Sequence, residues 1–410
     1  MYRLLKYLAK NENFLKSSFY VNKENYNTLK LNSKIILVVG MTDSPHFIRW
    51  LKTVSQEFPE KKIIVFPSDR PKFKYTKNFL FRKKRNKKLF VFHLVPFVKL
   101  NFALYFLLDN LLDIRWRSFF LARIIIRNKP EIIHFHEMQH GAYMYNYIVN
   151  YRKIPTNSRK IISTWGSDLT LFSWDSMHRD CIKACLTWAD TVTAEKKEEL
   201  VDAKRLDFSG DFIAPLFITI GLNTSELKEQ ILPSSRKLIL VKGHQSDTGR
   251  ALNVLQAISY IGNELEGFEI LVYSAPKSVQ IQVDTLRNKQ KINIRVLPKV
   301  SHNEMCDLFY RSRLSISVAI SDGLPGVLVE AMQAGAFPIQ SSNSAGKDFI
   351  VHGENGFLVD PWNIESIKDS IIRAASDNLL VDKASNLNMQ ILQEKYSLKD
   401  GIRKLRDLYL

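Results

Sequence analysis

The chain has 410 residues, 45% of them hydrophobic and 24% charged, which excludes a fibrous or disordered protein and suits two globular domains of ordinary size. Three cysteines only, Cys181, Cys185 and Cys306, exclude a disulfide framework and point to a reducing, cytoplasmic setting. The net charge of +18 is uneven: residues 1–225 hold 37 Lys/Arg against 20 Asp/Glu, and residues 226–410 hold 22 against 21.

Residues 1–33 read as a polar lead-in, with too short an apolar run in MYRLLKYLAK for a signal peptide. The first domain is expected over 34–225. KIILVVG (Lys34 to Gly40) is a continuous apolar run ended by glycine, the pattern of a strand buried on both faces. A loop, MTDSPH, leads to a helix from about Phe47 to Glu57 and then to the strand KIIVFPS. Arg70 to Lys88 carries ten basic residues and no acid, interleaved with Phe73, Tyr75, Phe79, Leu80 and Phe81. Such a stretch suits an anionic membrane surface or nucleic acid, with a solvated loop as the alternative. Leu89 to Leu108 contains His93, Pro96 and Lys99, so it is divided into a strand and a helix start rather than read as a membrane span. The alternation continues through a helix over about 99–127, EIIHFH, a helix to about Tyr151, KIISTW, TVTAEK and DFIAPLFIT.

A polar stretch at 226–236 (ELKEQILPSSR) reads as a linker, and a second domain over 237–395 repeats the pattern. Its strands are KLILVKG, FEILVYS, INIRVLP, LSISVAI, AFPIQS and GFLVDP. Helices are expected at 251–261, 280–289, 301–311, 363–376 and from about Val381 onward, with Ser301 and Glu304 spaced as a capping box. A last helix at 396–410 is a candidate to cross back to the first domain. Strands alternating with helices at this spacing specify doubly wound parallel sheets, and two such domains imply a ligand cleft between them.

Chemistry concentrates in SDGLPGVLVEAMQAG, Ser321 to Gly335, where a strand runs into a glycine-rich turn and a helix. Free N–H groups at that helix start favour a phosphate. Asp322 and Glu330, separated by seven residues, could take hydroxyls of a sugar and a ribose on either side of a diphosphate. The plainer alternative is a βα turn with a solvated Asp and a surface Glu. Cys181 and Cys185 lack the partners of a zinc site and read as thiols of a helix.

Strand–D-G-x-P-x-x-x-x-E-A-M-x-x-G-x-x-P-I, followed by GKDFIVHGENGFLVDP, resembles the C-terminal signature of retaining glycosyltransferase family 4, of bacterial polysaccharide type. The resemblance implies α/β architecture of the GT-B kind, two Rossmann-like doubly wound domains facing a central cleft. It places Asp322 on the donor sugar and Glu330 on the nucleotide ribose, with Asp standing where the family usually has Glu. Gly323, Leu324 and Gly326 fall where family backbone groups meet sugar and diphosphate. The family's basic pair is represented by VKGHQSDTGRAL, in which Arg250, Lys242 and His244 are the candidates; Arg250 is favoured for its planar fork, and His244 has a loop-capping alternative. In TWGSD, Trp165 stands where many relatives have histidine, leaving Asp168 as the polar contributor beside the sugar, with helix capping as its alternative. Ser44, His46, His136 and His140 are candidates on the acceptor side, each with a structural alternative.

The resemblance implies a retaining sugar transfer from a UDP- or GDP-sugar, without a metal site or other cofactor. The basic first half suggests a lipid-linked saccharide acceptor and a cytoplasmic enzyme peripheral to the inner face of the cell membrane. That setting belongs to lipopolysaccharide or exopolysaccharide assembly. A sugar-nucleotide epimerase of the same fold is the enzymatic alternative. A nucleic-acid-binding protein is the non-enzymatic one, with no recognised module to support it.

Overall fold

The computed structural model describes residues 35–42, 44–68, 89–91, 114–151, 157–221 and 231–410. The lead-in and the basic segment 70–88 lie outside these residues, as does the first part of the expected linker, 226–230.

In the first half, β1 (Ile35–Gly40), β2 (Lys62–Pro67), β3 (Leu89–Val91), β4 (Ile132–His136), β5 (Arg159–Ser163), β6 (Thr191–Thr193) and β7 (Asp211–Ile213) form one sheet. Its order is β3-β2-β1-β4-β5-β6-β7, with every pairing parallel. Helices α1 (Pro45–Glu57), α2 (Ile114–Asn128), α3 (Tyr143–Tyr151), α4 (Ser176–Trp188) and α5 (Glu199–Arg205) connect the strands. The unbroken apolar runs are explained by burial on both faces: Ile36 and Val38 pack with Phe47 and Trp50, Leu37 and Val39 with Leu121 and Ile133.

The second half repeats the plan. Strands β8 (Leu238–Lys242), β9 (Glu269–Tyr273), β10 (Ile294–Val296), β11 (Ser312–Ser317), β12 (Phe337–Ser341) and β13 (Phe357–Val359) take the order β10-β9-β8-β11-β12-β13, again parallel. Its helices are α6 (Ala251–Tyr260), α7 (Lys277–Lys289), α8 (His302–Arg311), α9 (Gly326–Gln333), α10 (Ile364–Ser376) and α11 (Asn378–Lys395). The capping box expected at α8 forms with both of its hydrogen bonds. Strand β11 is shorter than the run LSISVAI suggests; Val318 to Ile320 leave the ladder and enter the loop.

Each sheet reverses direction of growth once, between β1 and β4 and between β8 and β11. Ligands of open α/β sheets bind at such switch points, outside the carboxyl ends of the strands. The loops after β1, β4, β8 and β11 carry nearly all of the candidate residues named above.

The last helix, α12 (Leu398–Tyr409), packs on the first sheet. Leu405, Leu408 and Tyr409 are buried against Ile36, Val38 and Trp50. The Tyr409 hydroxyl lies 2.6 Å from His134 Nδ1 and accepts from Trp50 Nε1 at 3.4 Å. The Lys61 ammonium donates to the Tyr409 carbonyl at 3.0 Å. Both domains are thus tied by the chain's end as well as by its middle.

Candidate active site

From the second sheet, Lys242 ends β8 and Asp322 follows β11. The switch point makes these two loops neighbours, and Lys242 Nζ lies 3.8 Å from Asp322 Oδ2. A parallel bridge to Ser344 and the bond from Ala345 N–H to the Gly323 carbonyl brace the turn. Helix α9 then starts at Gly326 with Pro325 as its N-cap, which supplies no side-chain bond to the first turn. That leaves the first N–H groups of the helix facing the cleft, a suitable place for a phosphate. Glu330 projects from the same helix. Burial raises its carboxyl above the usual range, opposed by His302 and Arg49; His302 Nδ1 is 3.7 Å away.

His244 and Arg250 take different places. Burial and then Lys242 lower the His244 imidazole, with Asp322 pulling the other way, and Ser246 holds its Nε2 at 3.0 Å. The Arg250 guanidinium donates to the carbonyls of Gly249, Ser246 and Asp247 at 2.7, 3.1 and 3.3 Å. It also lies 4.4 Å over the exposed Trp362 ring. In this conformation Arg250 closes its own loop, and Lys242 is the cation in contact with Asp322.

From the first sheet, Ser44 caps α1 by accepting from the Phe47 N–H, and Pro45 opens the helix. His46 follows. Burial and Arg49 lower its imidazole, Asp322 acts to raise it, and Lys242 lowers it further. A Cβ added at Gly326 would come 3.7 Å from His46 Cε1, so the start of α1 faces the start of α9 across the cleft. Arg49, one turn along α1, is a cation that the sequence reading missed. It acts electrostatically on His46 and Glu330. The basic residue of an amphipathic helix carries no sign in sequence that another domain will meet it.

The structure separates the two candidate histidines of β4 and the turn after it. His136 is fully buried, its ring packed against Trp50, Phe47 and His134. Burial pushes its imidazole down to about 3. That is the environment of a neutral core side chain, so the acceptor-side expectation for His136 gives way to its structural alternative. His140 sits on the wide turn Met138–Ala142, where Glu137 takes its Nδ1 at 2.8 Å and also the Gly141 N–H at 2.9 Å. Asp168 is buried and accepts from the Trp165 N–H at 2.7 Å, so it closes the TWGSD turn instead of capping a following helix. Burial pushes the Asp168 carboxyl up to about 6, against its bond from the Trp165 N–H.

The two domains meet at the sugar-side loop. Gly166 has φ +83°, and a Cβ there would lie 2.2 Å from the Gly323 nitrogen. The Ser167 and Ser321 hydroxyls are 3.0 Å apart, and Lys347 pairs with Glu198 at 2.9 Å. A second missed residue, Glu195, lies at the centre of this contact. Its carboxylate accepts the Leu324 N–H at 2.8 Å and the Ile218 N–H at 3.0 Å. Among the described residues no group of three or more His, Cys, Asp or Glu is arranged to hold a metal ion, and no helix is long and apolar enough to cross a membrane.

A family model for glycosyl transferases group 1 matches residues 224–391, and one for glycosyl transferase 4-like proteins matches residues 112–196. The chain belongs to this glycosyltransferase family and has the GT-B fold. It is 22% identical over 300 residues to the N-acetyl-alpha-D-glucosaminyl L-malate synthase of Bacillus anthracis, spanning 70% of this chain and 77% of that protein. It is 21% identical over 260 residues to the UDP-Gal:alpha-D-GlcNAc-diphosphoundecaprenol alpha-1,3-galactosyltransferase of Escherichia coli, spanning 58% and 67%. Anabaena HepE in complex with UDP and glucose superposes with a TM-score of 0.68 at 11% identity, and S. aureus TarM with 0.69 at 12%. Each superposition covers 92% of this chain and 99% of the other.

Proposed function

We propose that this glycosyltransferase moves a sugar, with retention of configuration, from a UDP- or GDP-sugar to a lipid-linked saccharide in bacterial polysaccharide synthesis. The observation that carries this reading is the line formed by Asp322, the α9 N-terminus and Glu330 on one wall of the cleft, with Lys242 beside Asp322. In this reading Glu330 holds the ribose, the helix start and Lys242 hold the diphosphate, and Asp322 faces the sugar. As the sugar C1–O bond to phosphate breaks, negative charge grows on the diphosphate. A fixed cation and aligned N–H groups stabilise that change more than they stabilise the ground state. The acceptor hydroxyl attacks C1 from the face the diphosphate leaves, and its proton passes to a phosphate oxygen. No protein nucleophile is needed, and no metal is assigned a role.

The named relatives include one that uses a UDP-galactose donor and a diphosphoundecaprenol-linked acceptor, which supports this choice of substrate class. Across the cleft, His46 and Arg49 would receive the acceptor, with Ser44 holding their helix start and His140 nearby on the same domain. The basic segment 70–88 would rest on the anionic inner face of the cell membrane, making the enzyme cytoplasmic and peripheral. The test is a panel of UDP- and GDP-sugars offered with undecaprenyl-diphosphate-linked acceptors, with the product anomer read by NMR. Transfer with an inverted anomer, or donor epimerisation without transfer, would overturn the reading.

A further inference from the structure

Glu195 is buried at the end of β6 and belongs to none of the groups assigned above. Its two carboxylate oxygens have separate tasks. Oε1 takes the Ile218 N–H at 3.0 Å, in the segment by which the chain leaves the first sheet, and Oε2 takes the Leu324 N–H at 2.8 Å, in the sugar-side loop of the other domain. Contact with that loop is tight. A Cβ at Gly323 would lie 2.1 Å from Glu195 Oε2, and one at Gly166 would strike the Gly323 backbone. The interdomain contact therefore brings the Gly166 backbone directly against that of Gly323, with the Glu195 carboxyl packed beside it. Pro325, next in the loop, has no N–H to offer, so Glu195 holds the one amide between Gly323 and the start of α9.

We propose that Glu195 is a positioning residue that clamps the sugar-side loop to the first domain, so that closure of the cleft and the shape of the donor site are set by one side chain. Opening the cleft would strip the carboxylate of its Leu324 bond and release the loop. Closing it would fix Leu324 and leave Gly323 and the helix start to face the donor. The catalytic meaning of the clamp rests on the sugar-transfer reading above; the clamp itself is a property of the ligand-free chain.

Amide hydrogen exchange on the full-length, ligand-free protein, followed through peptides covering residues 320–328, tests it directly. Glu195→Ala should speed exchange there tenfold or more. Glu195→Gln, which keeps an acceptor for only one of the two N–H groups, should fall between, and peptides from β1 and β8 should be unchanged in both. With a turned-over nucleotide sugar, Glu195→Ala should lower kcat about tenfold while the Kd for the free nucleoside diphosphate stays within twofold, and Glu195→Gln should restore part of kcat. Unchanged exchange over residues 320–328 in both variants would overturn the clamp. Unchanged kcat in a variant that has lost protection would overturn the positioning role of Glu195 in turnover. A wild-type chain that transfers no sugar would contradict the sugar-transfer reading alone, and the exchange result would still decide the clamp.

Discussion

Lys242 Nζ stands 3.8 Å from Asp322 Oδ2, joining the two loops at the switch point of the second sheet. Arg250, the residue of more favourable geometry on paper, is bonded to three carbonyls of its own loop and stacked on Trp362. Lys242→Ala should therefore reduce kcat by about a hundredfold, the usual cost of losing one group that meets developing charge. Arg250→Ala should act mainly by loosening the 244–250 loop, raising the donor KM more than it lowers kcat. Steady-state kinetics on both variants separate the two; equal losses of kcat would put both cations on the diphosphate.

Tyr409 links the last helix to the first sheet through His134 and Trp50. Tyr409→Phe keeps the ring and removes the hydroxyl from a buried network, leaving His134 with Ser163 as its remaining partner. A loss of about 1–3 kcal/mol is expected, measurable as a lower midpoint in urea with an unchanged slope.

Three buried carboxyls are raised in the folded chain, chiefly by burial: Asp168 to about 6, and Glu195 and Glu199 to about 7. Lys196 offsets part of this at both glutamates, while Asp322 adds to it at Glu195. A raised folded-state value means that the fold binds protons the unfolded chain has released. The stability these groups contribute is complete below about pH 4 and is lost as pH climbs through 6 to 7. Glu195→Gln removes its share of that slope, on the order of 3 kcal/mol between acid and alkaline limits. In thermal melts from pH 5 to 8 the wild type should lose stability relative to the variant as pH rises; parallel curves would contradict it.

Replacing the basic residues between Arg82 and Lys88 with Gln should weaken binding to vesicles containing anionic lipid, and the wild-type binding should fall steeply with salt. Turnover on a soluble acceptor analogue should be unchanged. Equal vesicle binding by wild type and variant would remove this segment from the membrane contact.

The fold is legible in the chain because both-face burial writes itself as unbroken apolar runs such as IILVVG and LILVK, each followed by polar loop residues. The same regularity puts Lys242 and Asp322 at the ends of strands and Glu330 on the helix that follows. Glu195 is not legible in this way. TVTAEK reads only as one more short element of the first domain, and the carboxylate acquires its partner from Leu324, 129 residues away, only when the domains dock. His136 misleads for the opposite reason. Its place at the carboxyl end of β4 suggests the cleft, but Trp50 and Phe47 close over it from α1. A strand end fixes where a residue stands; what covers it is decided by the neighbouring helix.

Glu330 is where the nucleotide-sugar reading is most exposed. Calorimetric titration of wild type and Glu330→Ala with the UDP- or GDP-sugar that the wild-type protein binds measures it directly. A carboxylate bonded to ribose hydroxyls contributes about 1.5–3 kcal/mol, so the variant should bind at least tenfold more weakly while keeping its fold. Equal affinity in the two proteins would contradict a ribose contact at Glu330 and with it the placement of the nucleotide along α9.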